Sequence, residues 1–154
     1  MLGMRYFLDT EYNGFGGALL SLALVPEDDG EEFYVTLSCD VALDPWVERH
    51  VIPYLGTVPM ALQSPPLSRL AAAEALAAWL ANDPDPLIVA DWPEDLSQLA
   101  MLMVIGPGRM VPVPRLTMQF AALTGFSTAA NSAVPHNALH DARALRDHIM
   151  NHLE

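Results

Sequence analysis

The amino-acid sequence predicts an α/β fold on three observations. Near the start, three apolar stretches follow one another across turn-forming residues, the pattern of an antiparallel meander. From Ser68 onward, helical and strand patterns alternate. At the end, Ala138, Ala142, Leu145, Ile149 and Leu153 fall on one stripe of a helix turning about 100° per residue. That stripe should cover the sheet.

The first strand is the apolar, aromatic run Met4-Arg5-Tyr6-Phe7-Leu8, which ends in Asp9-Thr10-Glu11. Asn13-Gly14-Phe15-Gly16-Gly17 reads as the turn into a second strand at 18–25, and residues 26–30 as an acidic turn into a third at 32–37. Asp44 as N-cap and Pro45 at the first helical position start a short helix through Val47, His50 and Val51, ending near Pro53. The proline-rich stretch 56–66 is a loop. Ser68 then caps an alanine-rich helix at 69–81, whose apolar positions include Leu70, Leu76, Trp79 and Leu80. After the 82–86 stop come a strand at 87–90 and a helix over about 93–105, broken by Gly106-Pro107-Gly108. Residues 110–113 are expected as an edge strand because proline interrupts them. A helix near 116–123, a loop over 125–135 and the final helix from Ala138 follow. Trp46, Trp79 and Trp92 are expected as core or interface residues rather than base platforms.

At 154 residues, 52% of them hydrophobic, the chain suits one domain with a real core. No apolar run is long enough to cross a bilayer, and there is no signal-peptide pattern, so a cytoplasmic protein is expected. The single cysteine, Cys39, excludes an internal disulfide framework and a multi-cysteine zinc site. A net charge of −12 argues against tight, sequence-independent binding to long nucleic acid. All seven basic residues are arginine. The lack of lysine excludes a Walker P-loop, a pyridoxal Schiff base and a lysine-activated nucleophile, leaving the glycines at 14–17 as a turn.

Two acids close the first strand with one residue between them. Residues i and i+2 of a strand share a face roughly 6.5 to 7 Å apart, so Asp9 and Glu11 should project together. Like charges that close repel, and such an arrangement usually needs a cation between them. A second cluster stands near the other end, in His136-Asn137-Ala138-Leu139-His140-Asp141. A third acidic stretch, Asp91-Trp92-Pro93-Glu94-Asp95, follows the mid-chain strand.

In that order, Asp9-x-Glu11, the acids after strand 87–90 and His136-x4-Asp141 resemble the motifs of the DEDDh 3′–5′ exonucleases, the RNase T and oligoribonuclease superfamily. They span nearly the whole chain. The resemblance implies a ribonuclease H-like mixed β-sheet flanked by helices. It implies two divalent metal ions, Mg²⁺ or Mn²⁺, held by Asp9, Glu11, Asp95 and Asp141, with His136 as the general base that deprotonates the attacking water. Asp95 matches the family's position several residues past the strand. Asp91, at a place often held by Asn, either supports a ligand or competes with Asp95 for the metal role. Thr10 and Phe15 are the substrate-binding candidates, since relatives place an aromatic or leucine at the position of Phe15 to wedge against the 3′-terminal base. Arg5-Tyr6-Phe7, Trp46-Val47-x-x-His50-Val51 and Val113-Pro114-Arg115 resemble a branch of small, single-domain bacterial exoribonucleases.

The expected partner is therefore a few nucleotides at the 3′ end of single-stranded RNA, released as nucleoside 5′-monophosphates, with a homodimer possible because relatives often dimerise. A DNA exonuclease of proofreading type and a catalytically silent module of the same fold stay open as alternatives. So does a zinc pair from His136 and His140 at i, i+4 spacing. Helix geometry opposes that pair, since His136 precedes the helix and His140 should face solvent. His148 and His152 share the spacing and suit the end of a helix as surface residues.

Overall fold

The structure is a computed structural model that describes residues 3–152. Strands β1 (Arg5–Tyr12), β2 (Leu19–Pro26) and β3 (Phe33–Thr36) form the expected antiparallel meander. Helix α1 (Pro45–His50) begins where Asp44 accepts hydrogen bonds from the N–H groups of Trp46 and Val47. Helix α2 (Arg69–Leu80) begins where Ser68 Oγ accepts from Ala71 N at 3.1 Å. Strand β4 (Leu87–Ala90) and helix α3 (Pro93–Leu102) follow. Next come a small hairpin of β5 (Val104–Gly106) and β6 (Arg109–Met110), strand β7 (Thr117–Phe120), the single turn α4 (Thr128–Asn131) and the long helix α5 (Ala138–His152).

The five-stranded mixed sheet has the order β3-β2-β1-β4-β7, with β4 and β7 parallel to β1. Alternation along each strand splits its residues between two faces. Leu8, Leu22 and Leu24 pack with Leu76 and Leu80 of α2 and Leu99 and Leu102 of α3. Phe7, Val89, Ala23 and Val25 point the other way, onto Leu139, Ala142, Leu145 and Ile149 of α5. Each such large side chain contributes about 1.5–3 kcal/mol when fully buried. The α5 stripe is thus as expected through Ile149; Leu153 lies outside the described residues. By the same alternation Asp9 and Glu11 continue the row of Phe7 toward α5, and Thr10 continues the row of Leu8.

Three expectations about elements are corrected. The helix after β4 stops at Leu102, because Met103-Val104-Ile105 and the Gly106-Pro107-Gly108 turn, with Gly108 at φ 66°, favour a hairpin over another helical turn. Residues 110–113 are not an edge of the main sheet: Met110 ends the separate hairpin, and Val111 is buried with its N–H on Met103 O. The segment 116–123 contains strand β7 rather than a helix. Its Met, Gln, Ala and Leu residues suit a helix, but the open edge of β4 captures it, with Thr117 N on Pro86 O and Ala121 N on Ala90 O. No helix among the described residues is long and apolar enough to cross a membrane.

Candidate functional site

Four parts of the chain bring carboxylates to a cleft of about 560 Å³ where β1 and β4 end. Strand β1 supplies Asp9 and Glu11, and the residue after β4 supplies Asp91. The first turn of α3 brings Asp95, and the first turn of α5 brings Asp141. The facing wall includes Phe120, Leu123, Phe126 and Thr128, and His136 completes the lining.

The acids form two overlapping sets. Asp9, Glu11 and Asp141 make one, and Asp9, Asp91 and Asp95 the other; within each set one oxygen per residue lies within 4.8 Å of the others. Asp9 belongs to both. It is 7% exposed, Asp95 3% and Asp141 4%. Nevertheless Asp9 Oδ2 and Asp141 Oδ1 have no hydrogen-bond partner, an unusual state for buried carboxylate oxygens. Thr10, reaching the opposite side of β1, donates its hydroxyl to Asp95 Oδ1 at 2.6 Å.

Burial and crowding hold these groups above the usual carboxylate range. Asp9 is raised first by burial and then by Asp95, Glu11 and Asp141. Glu11 is pushed up to about 9, by burial and then by Asp141 and Asp95. Burial carries Asp95 to about 7 against the opposing Thr10 hydrogen bond, and Asp141 to about 6 against one from Ser132. Burial also raises Asp91. Among the described residues no arginine lines the cleft, so only protons or a bound cation can neutralise it. An all-oxygen, all-carboxylate donor set with two orphaned buried oxygens fits a hard divalent ion.

His136 owes its position to the chain around it. Its backbone is left-handed, φ 66°, at a cost of roughly 1–2 kcal/mol for a residue with a Cβ. The next residue over-determines that turn. Asn137 is fully buried, its Oδ1 accepts from Leu139 N and His140 N, and its Nδ2 donates to Tyr54 O at 2.8 Å. Asn137 therefore caps α5 and fixes both His136 and Asp141. Sequence reading missed it, although an Asn directly before a periodic helix is an N-cap signal. The His136 ring meets Trp46 edge-on at 4.9 Å, and burial followed by His50 lowers its pKa below the ordinary histidine value, favouring the neutral imidazole.

A second groove of about 460 Å³ adjoins the cleft, sharing Glu11, Tyr12, Trp92 and His136 with it. Phe15 stands at its rim and is 99% exposed. The turn holds it there: Gly14 and Gly16 have φ of 77° and 69°, and a Cβ on Gly17 would overlap Asn13 O. Trp79 packs in the core against Tyr6 and Phe33 as expected, but Trp46 and Trp92 are exposed groove residues. For Trp92 the cause is local. The following Pro93 forces it into extended backbone (φ −136°, ψ 128°), and its Nε1 donates to Tyr12 Oη at 3.1 Å.

His140 is half-buried, and its ring sits at the surface with Nε2 2.9 Å from Thr57 O in an exposed contact. It takes no part in the acid cleft, and the potential metal-holding groups among the described residues contain no histidine. His148 is not a free surface residue either, since its ring stacks on Phe126 at 4.1 Å. Comparison with known proteins returned no matching family model and no matching curated protein.

Proposed function

We propose that the chain is a metal-dependent 3′–5′ exonuclease with a ribonuclease H-like fold, acting on the end of short or single-stranded RNA. One observation carries the reading. Two carboxylate sets share the buried Asp9, leave oxygens without partners, and open into the same cleft as a half-buried histidine. The antiparallel meander continued by parallel strands is a mixed sheet of the kind the motif resemblance implies, and supports it further.

Asp9, Glu11, Asp95 and Asp141 would hold two divalent ions, which when bound supply charge neutralisation at the phosphate and activate water. His136, neutral at physiological pH, takes the proton of the attacking water. Asn137 keeps its ring at the cleft, and Thr10 keeps Asp95 aimed inward. Phe15, projecting from its turn beside the groove, offers a face for the terminal base, a contact every base can make. An acidic cleft with no arginine among its described lining residues suits a short terminal footprint over a long duplex.

The test is digestion of matched short RNA and DNA with Mg²⁺ or Mn²⁺, using free and 3′-blocked ends. Release of nucleoside 5′-monophosphates from free RNA ends only is expected. Equal or faster cleavage of DNA would move the assignment to a DNA exonuclease, and no cleavage with either metal would leave a binding module.

A further inference from the structure

The motif resemblance accounts for four acids, and the cleft contains five. We infer that Asp91 is a direct ligand of the second ion, so that this ion is held by three protein carboxylates, Asp9, Asp91 and Asp95, before any nucleic acid arrives. The inference rests on the metal-dependent reading above.

The placement follows from the sheet. Strands β1 and β4 run parallel, with Phe7 opposite Val89. Two residues beyond Phe7 stands Asp9, still within β1, and two residues beyond Val89 stands Asp91, the first residue after β4, so both lie just past the paired ends of neighbouring strands. Phe7 and Val89 share the α5 face of the sheet, the period of two carries Asp9 to that same side, and Asp91, leaving the end of β4, brings a carboxylate oxygen to within 4.8 Å of Asp9. Asp95 returns to the pair from the first turn of α3, its other oxygen contact fixed by Thr10. The three acids bring oxygens within 4.8 Å of one another. The independent sign of a ligand is Asp9 itself, 93% shielded by the 7% exposure given above, with Oδ2 unsatisfied.

The consequence is a difference in loading. Two divalent ions bring four positive charges, and five carboxylates bring five negative ones. The protein alone neutralises both ions, so substrate phosphate is not needed to recruit the second. A site built from four acids, with one shared, would leave that ion short of protein ligands.

Binding of Mn²⁺ to the chelator-stripped protein, followed by the electron paramagnetic resonance signal of free Mn²⁺ in the absence of nucleic acid, tests this. Wild type should bind two ions per chain. Asp91→Asn and Asp95→Asn should each keep one ion and weaken the other on the order of 100-fold, at or above the cost of losing an outer-shell partner. Asp141→Asn should weaken the opposite ion, and Asp9→Asn both. Glu74→Gln, on the exposed side of α2, controls for loss of one negative charge anywhere. Circular dichroism checks folding, and Asp91→Ser is the smaller second variant at the same position. If the Asp91 variants titrate like Glu74→Gln, the inference fails while the exonuclease reading stands. If wild type binds no ion, or Asp9→Asn changes nothing, the metal-dependent reading fails and takes this inference with it.

Discussion

The two ends of β1 treat buried acids in opposite ways. Beside its start, Asp83 accepts hydrogen bonds from Asp85 N, Met4 N and the Tyr6 hydroxyl. Burial pushes its carboxyl up, but those donors outweigh it and hold the group below its ordinary value. At the far end Asp9, equally hidden from solvent at 7% exposure and set deeper, has four acids around it and rises. On α5 the same contrast spans two residues: Arg143 grips Glu32 with bonds of 2.7 and 2.6 Å, while Asp141 Oδ1 has no partner. The chain can satisfy its acids, and among the described residues it leaves the cleft without an arginine. Asp83 and Glu32 have their oxygens matched by donors, whereas in the cleft Asp9 Oδ2 and Asp141 Oδ1 stay buried without one.

The largest effect should come from Asp9→Asn, which is expected to abolish nuclease activity while leaving the metal-free fold as stable or more so. Mn²⁺ should raise the melting temperature of the native protein by mass action, and far less that of the variant. Equal shifts in both would remove Asp9 from the ligand set.

His136→Ala should lower kcat/KM by on the order of 10² to 10⁴ while Mn²⁺ binding persists. A general base works when neutral, so kcat/KM should rise with pH through an apparent value below 6.5, the ordinary histidine pKa from which burial and His50 lower this ring. His140→Ala loses only its contact with Thr57, costing about 1 kcal/mol of stability and little activity. Similar activity losses in the two variants would break the assignment.

The contrast between the ends of β1 also has a pH signature. Glu11, Asp95 and Asp141 bind protons more tightly folded than unfolded, at about 9, 7 and 6 against ordinary values near 4.5 and 3.8. In that window the folded state holds more protons than the unfolded one, so the metal-free protein should lose stability as pH rises from about 4 toward 9. Saturating Mg²⁺ should flatten the curve. Asp83 acts with the other sign, supplying stability that is lost on acidification. Asp83→Asn should therefore cost about 1–3 kcal/mol with no change in metal affinity. Thermal melts across pH, with and without the ion, separate the two ends.

The smallest effect should come from Thr10→Val. Asp95 would lose its 2.6 Å hydrogen bond, and metal affinity should fall about 10-fold, as for loss of an outer-shell partner. Thr10→Ser should restore it. A Val variant that binds metal like wild type would reduce Thr10 to packing.

What the sequence by itself determined is everything written into one element. The side-by-side display of Asp9 and Glu11 follows from the strand's period of two. The caps at Asp44 and Ser68 and the α5 stripe through Ala142 and Leu145 follow from local backbone geometry, which residue spacing alone sets. The meeting of Asp9, Glu11, Asp95, Asp141 and His136 was legible too, though only through the motif order. Tertiary structure alone decided how distant elements share an edge. Residues 117–120 became a strand because β4 had an open side to pair with. Asp91 joined Asp9 because β4 lies parallel to β1 in a register that no local pattern encodes. Trp46 and Trp92 became groove walls, and His140 a partner of Thr57, because a side chain's surroundings depend on which segment packs across from it. Spacing along a chain fixes a face, and only packing supplies what that face meets.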